Sequence, residues 1–337
     1  FSALRMHAPP SRQGADLMAG LLRAAEAAAI DIMTNATVTE LFANDEGRVL
    51  GLALVRPDGS KEEIGCQALI LACNGYGGNP AMVADHIPEM VRAEYFGHPG
   101  NQGDAVNWGE ALGAAAKHMT AYQGHGSVAT PHGILITWAV MMNGGIQVNK
   151  LGQRFSNEHR GYSEQAVDVL AQPDQVAWAI LDDRLLTLGH EFEEFNLAEA
   201  AGAVRHAKDV EDLSKIIDVP MAALQKTLAE TTAHAKGETT DTFGRDFTTH
   251  PALSPPYYAI RVTGALFHTQ GGLNIDPQAR VLRPDGSALP NLYAGGGAAC
   301  GLSGSQVWGY LSGNGLLTAV NLGRIAGQTA TKFIKEG

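Results

Sequence analysis

The first 80 residues change from a helical to a strand-like spacing of apolar positions. "GADLMAGLLRAAEAAAID" (residues 14–31) carries apolar residues at helical spacing and is rich in alanine and leucine, which predicts a helix. "IMTNATVTELFAN" then alternates, and "RVLGLALVRPDGSKEEI" predicts two strands joined by a turn at residues 57–59. Residues 67–80 predict a buried strand that runs into a glycine-rich turn. This order is typical of an α/β nucleotide-binding domain beyond its first βα unit.

The pattern changes at about residue 80 and again near residue 256. Residues 103–117 and 209–236 predict helices, and "QVAWAILDDRLL" predicts a strand and a turn, with charge-rich loops between them. Short strands then return, and "GNGLLTAVNLGRIAGQTATKFI" predicts a long closing helix. We therefore expect a split domain, formed by residues 1–78 and 257–337, with an α+β capping domain of residues 79–256 inserted into it.

Composition narrows the choice of partners. The 337 residues are 45% hydrophobic with a net charge of −11, and such an acidic balance argues against a nucleic-acid partner. No apolar run is long enough to predict a membrane span, and "FSALRMHAPPSRQG" lacks the apolar segment of a secretory signal. The three cysteines form no CxxC pair, so we expect reduced thiols and a cytoplasmic protein. The 40 glycines are clustered, which indicates backbone that something approaches closely.

Five segments, in this order and at these separations, resemble the flavoprotein subunits of fumarate reductase and succinate dehydrogenase and their soluble relatives. They are "LILACNGYGGNP", "GQRFSNE", "FHTQGGLNID", "LPNLYAGGG" and "SGNGLLTAVNLGRIAG". The resemblance covers essentially the whole chain. It implies a glutathione-reductase-like FAD-binding domain, interrupted by a capping domain, with catalysis where the two meet. Such proteins start with a GxGxxG turn that holds the FAD pyrophosphate; none occurs near residue 1, so we expect the first βαβ unit to be missing.

The same resemblance implies a set of residues that bind FAD. The glycines at 295–297 would let the backbone pass close to the ribityl chain, and the amides of residues 313–316 would face the flavin ring. A tight junction between a strand and a helix in an ordinary α/β fold is the alternative explanation for these glycines. The predicted cofactor-binding residues are Val38, Ala72, Asn74, Gly75, Gly295, Gly296, Gly297, Ser312, Asn314, Gly315 and Leu316.

Four residues match substrate or catalytic positions of the soluble fumarate reductases. His268 and His125 stand where two histidines bind substrate carboxylates, Thr137 matches a substrate-binding position, and Arg160 stands near a proton-donating arginine. The two histidines and Arg160 each also have a structural alternative, which for Arg160 is a surface ion pair with Glu158 or Glu164. The histidines at 118, 125 and 132 are separated by helix-breaking residues, so we expect no metal site.

The departures from this resemblance point to a more apolar pocket. Gln306 and Trp308 occupy a loop where the fumarate reductases carry a carboxylate-clamping arginine, and Trp138 and Met141 replace the partners that re-protonate the catalytic arginine. We expect a flavin-dependent oxidoreductase acting on a CH–CH or C=C bond next to a carboxylate or carbonyl, with an unknown electron partner. The alternatives are a Δ1-ketosteroid dehydrogenase-like enzyme, which would use Tyr162 and Tyr310, and a non-catalytic fragment with an open flavin pocket.

Overall fold

The computed structural model describes Pro9 and residues 14–336. The first residues of the predicted segment 1–78, and with them the segment that bears on a secretory signal, lie outside this described part. The helices are α1 (Gly14–Ala27), α2 (Pro80–His86), α3 (Asp104–Ala111), α4 (Ala139–Met142), α5 (Tyr162–Leu170), α6 (Asp183–Gly189), α7 (Glu193–Ala200), α8 (Val210–Ile217), α9 (Met221–Ala235) and α10 (Asn314–Glu336).

The strands form four sheets within the described residues. They are β1 (Thr37–Ala43), β2 (Val49–Val55), β3 (Lys61–Gly65), β4 (Leu69–Leu71), β5 (Glu94–Tyr95), β6 (Ala116–Lys117), β7 (Tyr122–Ala129), β8 (Ile134–Leu135), β9 (Ile146–Val148), β10 (Val176–Asp182), β11 (Val204–Ala207), β12 (Tyr257–Thr269), β13 (Gly272–Leu273), β14 (Arg280–Leu282) and β15 (Ala288–Ala294). The sheets are β1-β2-β3, β14-β15-β4, the pair β13-β6, and a central sheet in the order β8-β7-β12-β10-β9 to which β5 and β11 are also paired.

The first and last parts of the chain share a sheet. β4 pairs in parallel with β15, with Leu69 opposite Leu292 and Leu71 opposite Ala294. Asn291 reinforces this junction, because its side-chain oxygen accepts a hydrogen bond from the backbone N–H of Val49 at 2.8 Å. Two parallel strands therefore end side by side, each immediately before a glycine-rich turn. The carboxyl ends of parallel strands are where α/β folds place their ligands.

The central sheet is organised around β12. The first half of β12 lies between β10 and β11, and its second half lies between β7 and β5. β12 has 13 residues and begins at Tyr257, so it belongs to the predicted last segment, 257–337. All the strands that pair with it, however, lie within residues 79–256. His125 and His268 are brought close by this pairing, because β7 carries one and β12 the other.

Three sequence predictions of secondary structure differ from the structure. The helix expected over 103–117 ends at Ala111, because Gly113 takes a positive φ of 84° and residues 116–117 form β6. The helix expected over 209–236 is divided into α8 and α9, since Asp218 is left-handed and Pro220 follows it. The turn expected after β10 is helix α6, whose first turn is capped by the Asp182 carboxylate.

The long closing helix and the hairpin are confirmed. α10 runs from Asn314 to Glu336, and β2 and β3 pair across the turn at residues 57–59. None of the described helices combines the length and the apolar content that a membrane crossing requires. The largest core cluster lies in the central sheet and the helices around it.

Candidate active site

The turns after β4 and β15 form one glycine-rich surface, which we call the glycine edge: Asn74, Gly75 and residues 295–297. The Gly295 N–H donates to the Leu71 carbonyl at 3.0 Å, so the two turns leave the sheet together. Asn74 has a left-handed φ of 65°, and its side-chain oxygen accepts from the Gly75 N–H at 2.9 Å. A Cβ on Gly297 would clash with that Asn74 oxygen, and a Cβ on Gly75 would clash with Thr269. The glycines therefore permit a close approach of backbone that no larger residue allows.

The N-terminus of α10 faces the same region. Gly313 precedes the helix with a φ of 89°, and Gly315 lies directly against the imidazole of His268. The apolar side chains of Leu316 and Leu317 remain at least half exposed beside the helix N-terminus. Unpaired N–H groups and the positive end of the helix dipole favour a ligand that carries partial negative charge.

These observations fit the predicted FAD. A flat ring system needs an apolar surface beside polar donors, and the glycine edge and the start of α10 offer both. Three other predicted cofactor residues lie in different parts of the structure. Ala72 is exposed just after β4 and Ser312 is exposed two residues before α10, whereas Val38 is half-buried on β1 in the separate three-stranded sheet.

His125 lies on β7 in a surrounding of aromatic rings. It is 5% exposed, it stacks on Tyr162 and Phe267 at ring-centroid distances of 4.9 and 5.4 Å, and it meets Trp138 edge to face at 5.7 Å. The backbone N–H of Ser127 donates to its Nδ1 at 3.2 Å. Burial among these uncharged rings lowers the pKa of His125 to about 3, so its imidazole is neutral at physiological pH.

His268 lies near the end of β12, beside the start of α10. Its ring meets Tyr310 edge to face at 5.9 Å, and its Nδ1 lies 3.2 Å from the Thr269 carbonyl oxygen. Burial lowers the pKa of His268, although the Thr269 carbonyl opposes that shift. The side-chain amide of Gln270 lies close to the same ring, and its oxygen accepts from the Ser303 hydroxyl at 3.2 Å.

Two tyrosines connect the histidines. Tyr162 meets Tyr310 edge to face at a centroid distance of 6.1 Å, so ring contacts run without a gap along a line that we call the aromatic row: Trp138, His125, Tyr162, Tyr310 and His268. Burial raises the pKa of Tyr310. The electrostatic interaction and the hydrogen bond with the Tyr162 phenol raise that pKa further. Tyr310 therefore remains a protonated hydrogen-bond donor throughout the physiological range.

Arg160 lies at the surface. Its side chain is 54% exposed, and its guanidinium forms an ion pair with the Asp168 carboxylate on α5. The partner is thus neither Glu158 nor Glu164, the two carboxylates named in the structural alternative. Thr137 is half-buried just before α4, where its hydroxyl oxygen accepts from the Ala139 N–H at 3.3 Å. The substrate roles of both residues remain predictions.

Sequence reasoning missed a buried ion cluster behind the aromatic row. Arg154 and Arg245 both contact the Glu158 carboxylate, at 2.7 and 3.0 Å, and Arg154 also binds Asp241 at 2.7 Å. Arg245 further donates to the Met141 carbonyl at 3.2 Å, which ties the cluster to α4 and so to the segment that carries Trp138. No local pattern marks this cluster, because Arg154 lies in no helix and Arg245 is 87 positions from Glu158.

No group of His, Cys, Asp or Glu side chains in the described part of the chain is arranged to hold a metal ion. The histidines at 118, 125 and 132 are dispersed, since His125 is buried among rings and His132 is exposed.

The site and fold are those of an FAD-binding flavoprotein. Residues 2–316 match the model of the FAD binding domain family, and the chain belongs to that family. The family and the cofactor expected from the sequence are thereby confirmed. A probable fumarate reductase (Ifc3) of Shewanella frigidimarina (strain NCIMB 400) is 30% identical over 97% of this chain and 55% of its own length. The chain spans about half the length of the curated relatives with which it aligns first.

Two solved structures extend the comparison. The open conformation of a flavocytochrome c3 fumarate reductase superposes with a TM-score of 0.80 at 30% identity, covering 98% of this chain and 58% of that one. A 3-ketosteroid-Δ4-(5α)-dehydrogenase from Rhodococcus jostii RHA1, solved with 4-androstene-3,17-dione, superposes with a TM-score of 0.69 at 26% identity, covering 93% and 63%. These relatives are named as oxidoreductases.

Proposed function

We propose that this protein is a flavin-dependent oxidoreductase that forms or reduces a carbon–carbon double bond next to a ketone carbonyl. The observation that carries the proposal is the Tyr162–Tyr310 pair, held between the neutral imidazoles of His125 and His268. The pair lies on the same side of the molecule as the start of α10, because Gly315 contacts His268. A substrate bound at this end of α10 would therefore lie near the two phenols.

The two phenols supply what such a reaction needs. Bound FAD would accept or deliver the hydride at the β-carbon. A ketone must be polarised at its oxygen and must exchange a proton at its α-carbon. Burial and Tyr162 raise the pKa of Tyr310, so its phenol stays protonated and can donate a hydrogen bond to the carbonyl oxygen. Tyr162 is then the group that moves the α-proton, and the stacked His125 holds its ring in place.

The electrostatics favour a ketone over a dicarboxylate. A buried carboxylate needs a cation or several donors, since an unpaired charge in an apolar site is costly. His125 is neutral, Arg160 is exposed and paired with Asp168, and the neighbouring Trp138 is apolar apart from its indole N–H. A carboxylate substrate is the second candidate, because a relative is named a probable fumarate reductase and both histidines lie on one row of rings.

A substrate panel tests the proposal directly. The FAD-loaded protein is mixed anaerobically with saturated and unsaturated cyclic ketones and, separately, with succinate and fumarate. Bleaching of oxidised flavin by a saturated ketone, or reoxidation of reduced flavin by an enone, is the expected result. Turnover of the dicarboxylates with none of the ketones would overturn the ketone assignment in favour of the second candidate. A flavin that responds to neither class would refute both.

A further inference from the structure

Four nearly parallel rings form a stack that ends at Tyr162. Phe96 stacks on Phe267 at a ring-centroid distance of 5.0 Å and an interplanar angle of 15°. Phe267 stacks on His125 at 5.4 Å and 19°, and His125 stacks on Tyr162 at 4.9 Å and 21°. We call these four residues the ring stack. They come from the segment after β5, from β12, from β7 and from the start of α5, so the stack joins four separate elements.

The outer end of the ring stack is fixed to the central sheet. β5 pairs in parallel with β12, with Tyr95 opposite Leu266. The backbone N–H of Phe96 donates to the Leu266 carbonyl at 2.8 Å, and the Tyr95 hydroxyl accepts from the Asn101 side-chain amide at 2.7 Å. These bonds hold Phe96 beside Phe267, the next residue of β12. Phe96 is 37% exposed, so this end of the stack lies at the surface.

The orientation of the inner end depends on the rings beside it. Tyr162 is the first residue of α5 and follows Gly161, which has a φ of 140° and offers no side-chain cap. Among the described residues, His125 is the ring that stacks on Tyr162, whereas Trp138 and Tyr310 meet it edge to face. The plane of the Tyr162 ring therefore follows that of His125.

The middle of the ring stack is held by packing and not by charge. His125 is buried and neutral, and the Ser127 N–H donates to its Nδ1 at 3.2 Å. Stacked aromatic rings prefer an offset, parallel arrangement, and a close-packed interior transmits displacements from one side chain to the next. A change in the plane of Phe267 is thus passed to His125 and from there to Tyr162.

We propose that Phe96 is a positioning residue for the reaction, because through Phe267 and His125 it sets the plane of the Tyr162 ring. This inference rests on the proposed function, in which Tyr162 moves the α-proton of a ketone. Proton transfer requires the phenol oxygen to lie within hydrogen-bond reach of that proton, and a small misplacement lowers the rate steeply. An aliphatic side chain at position 96 leaves Phe267 without its outer partner ring, so every later ring of the stack is less restricted.

NMR spectra of the FAD-loaded protein with ring-labelled tyrosine test the positioning without substrate. The Tyr162 signals are assigned by their loss in Tyr162→Phe. Because chemical shifts near aromatic rings depend on the orientation of those rings, Phe96→Leu should move the Tyr162 ring signals. Phe96→Tyr keeps a ring at this position and should leave them close to their original shifts. Unchanged Tyr162 signals in Phe96→Leu would overturn the proposal.

Phe243→Leu is the matched control. Phe243 is 41% exposed, close to the exposure of Phe96, and its ring lies against the Arg154 guanidinium and not against the ring stack. This variant should leave the Tyr162 signals in place. If it moves them as far as Phe96→Leu does, the response is not specific to the stack and the proposal is wrong.

Single-turnover flavin reduction by a saturated ketone tests the consequence for the reaction. The ketone is used unlabelled and with deuterium at its α-carbon. We expect Phe96→Leu to reduce the flavin about tenfold more slowly, with a larger α-deuterium isotope effect and an unchanged dissociation constant for the ketone. Phe96→Tyr should restore both the rate and the isotope effect. A merely structural role for Phe96 would leave the isotope effect unchanged.

The failure of this inference and the failure of the proposed function give different results. If the unaltered protein oxidises ketones and Phe96→Leu keeps both the rate and the isotope effect, Phe96 is not a positioning residue and the proposed function stands. If the unaltered protein oxidises no ketone, the proposed function is refuted, and the NMR comparison alone then supports or refutes the control of the Tyr162 ring by Phe96.

Discussion

The side-chain oxygen of Asn74 fills the space that a Cβ on Gly297 would need. The two residues lie on the turns after β4 and β15, so their contact holds the glycine edge together. Gly297→Ala should displace Asn74 or open the turn, and overpacking of this kind costs about 1–3 kcal/mol. We expect FAD affinity, measured by flavin fluorescence titration, to fall by about tenfold or more.

Gly327→Ala is the control for this change. Gly327 lies inside α10, and a Cβ there would meet no atom within 4 Å. Alanine is the better helix former by about 1 kcal/mol, so this variant should bind FAD normally and unfold at a slightly higher denaturant concentration. If both variants bind FAD equally well, Gly297 does not shape the cofactor site.

Tyr310→Phe should greatly reduce turnover of a ketone substrate. The variant keeps the ring contacts with Tyr162 and His268 but removes the hydroxyl that polarises the carbonyl. We expect the rate of anaerobic flavin reduction to fall by about 10²–10⁴-fold with the flavin spectrum unchanged. Tyr258→Phe is the matched control, because the Tyr258 phenol donates to Asp183 at 2.6 Å and makes no contact with the aromatic row. Equal rates in the two variants would remove Tyr310 from the mechanism.

The sequence predicted those parts of the fold that local pattern encodes. The hairpin turn at residues 57–59 and the helix that begins at Asn314 follow directly from periodicity and turn residues. The break between α8 and α9 was missed because Asp218 is not a recognisable breaker on its own, and Pro220 was outweighed by the apolar periodicity on both sides.

The candidate site residues come from resemblance and not from pattern, and their roles remain predictions. The contact of Tyr162 with Tyr310 joins residues that are far apart along the chain, and hydrophobic periodicity carries no information about such pairs. The same limit applies to the ion pair of Glu158 and Arg245, which are 87 positions apart. Burial decides the state of His125, and burial of one side chain depends on the packing of three other elements.

Arg160→Gln tests whether Arg160 is a proton donor, as the sequence resemblance implies, or only a member of a surface ion pair. The guanidinium is half exposed and paired with Asp168, and exposed pairs contribute only about 0–1 kcal/mol to stability. We expect turnover of a ketone substrate to change by less than about threefold, and the denaturation midpoint to move little. Loss of turnover by two or more orders of magnitude would show that Arg160 reaches the substrate in the working enzyme.

Glu158→Gln should destabilise the fold strongly. Burial opposes ionisation of Glu158, but the hydrogen bonds and charge of Arg154, with the charge of Arg245, outweigh it and lower its pKa to about 2. The neutral amide would leave two buried guanidinium groups without their shared carboxylate, at a cost of about 3–5 kcal/mol in the free energy of unfolding. Glu62→Gln, which removes the solvent-exposed pair with Arg56, should leave the urea denaturation midpoint nearly unchanged. If urea denaturation shows a similar loss of stability for Glu158→Gln and Glu62→Gln, the buried cluster does not stabilise the fold more than a surface ion pair does.

The neutral state of His125 should make stability depend on pH. Its pKa is about 3 in the folded protein against 6.5 for the free side chain, so the unfolded chain binds the proton more readily. The stability that depends on a neutral His125 is therefore fully present above pH 6.5. As the pH falls from 6.5 towards 3, the free energy of unfolding decreases by up to about 1.4 kcal/mol per pH unit. His125→Phe, which preserves the stacking on Tyr162, should flatten this dependence in urea denaturation at several pH values. His206→Phe, at an exposed position, should keep the slope, and equal slopes in the two variants would mean that His125 is not held neutral by burial.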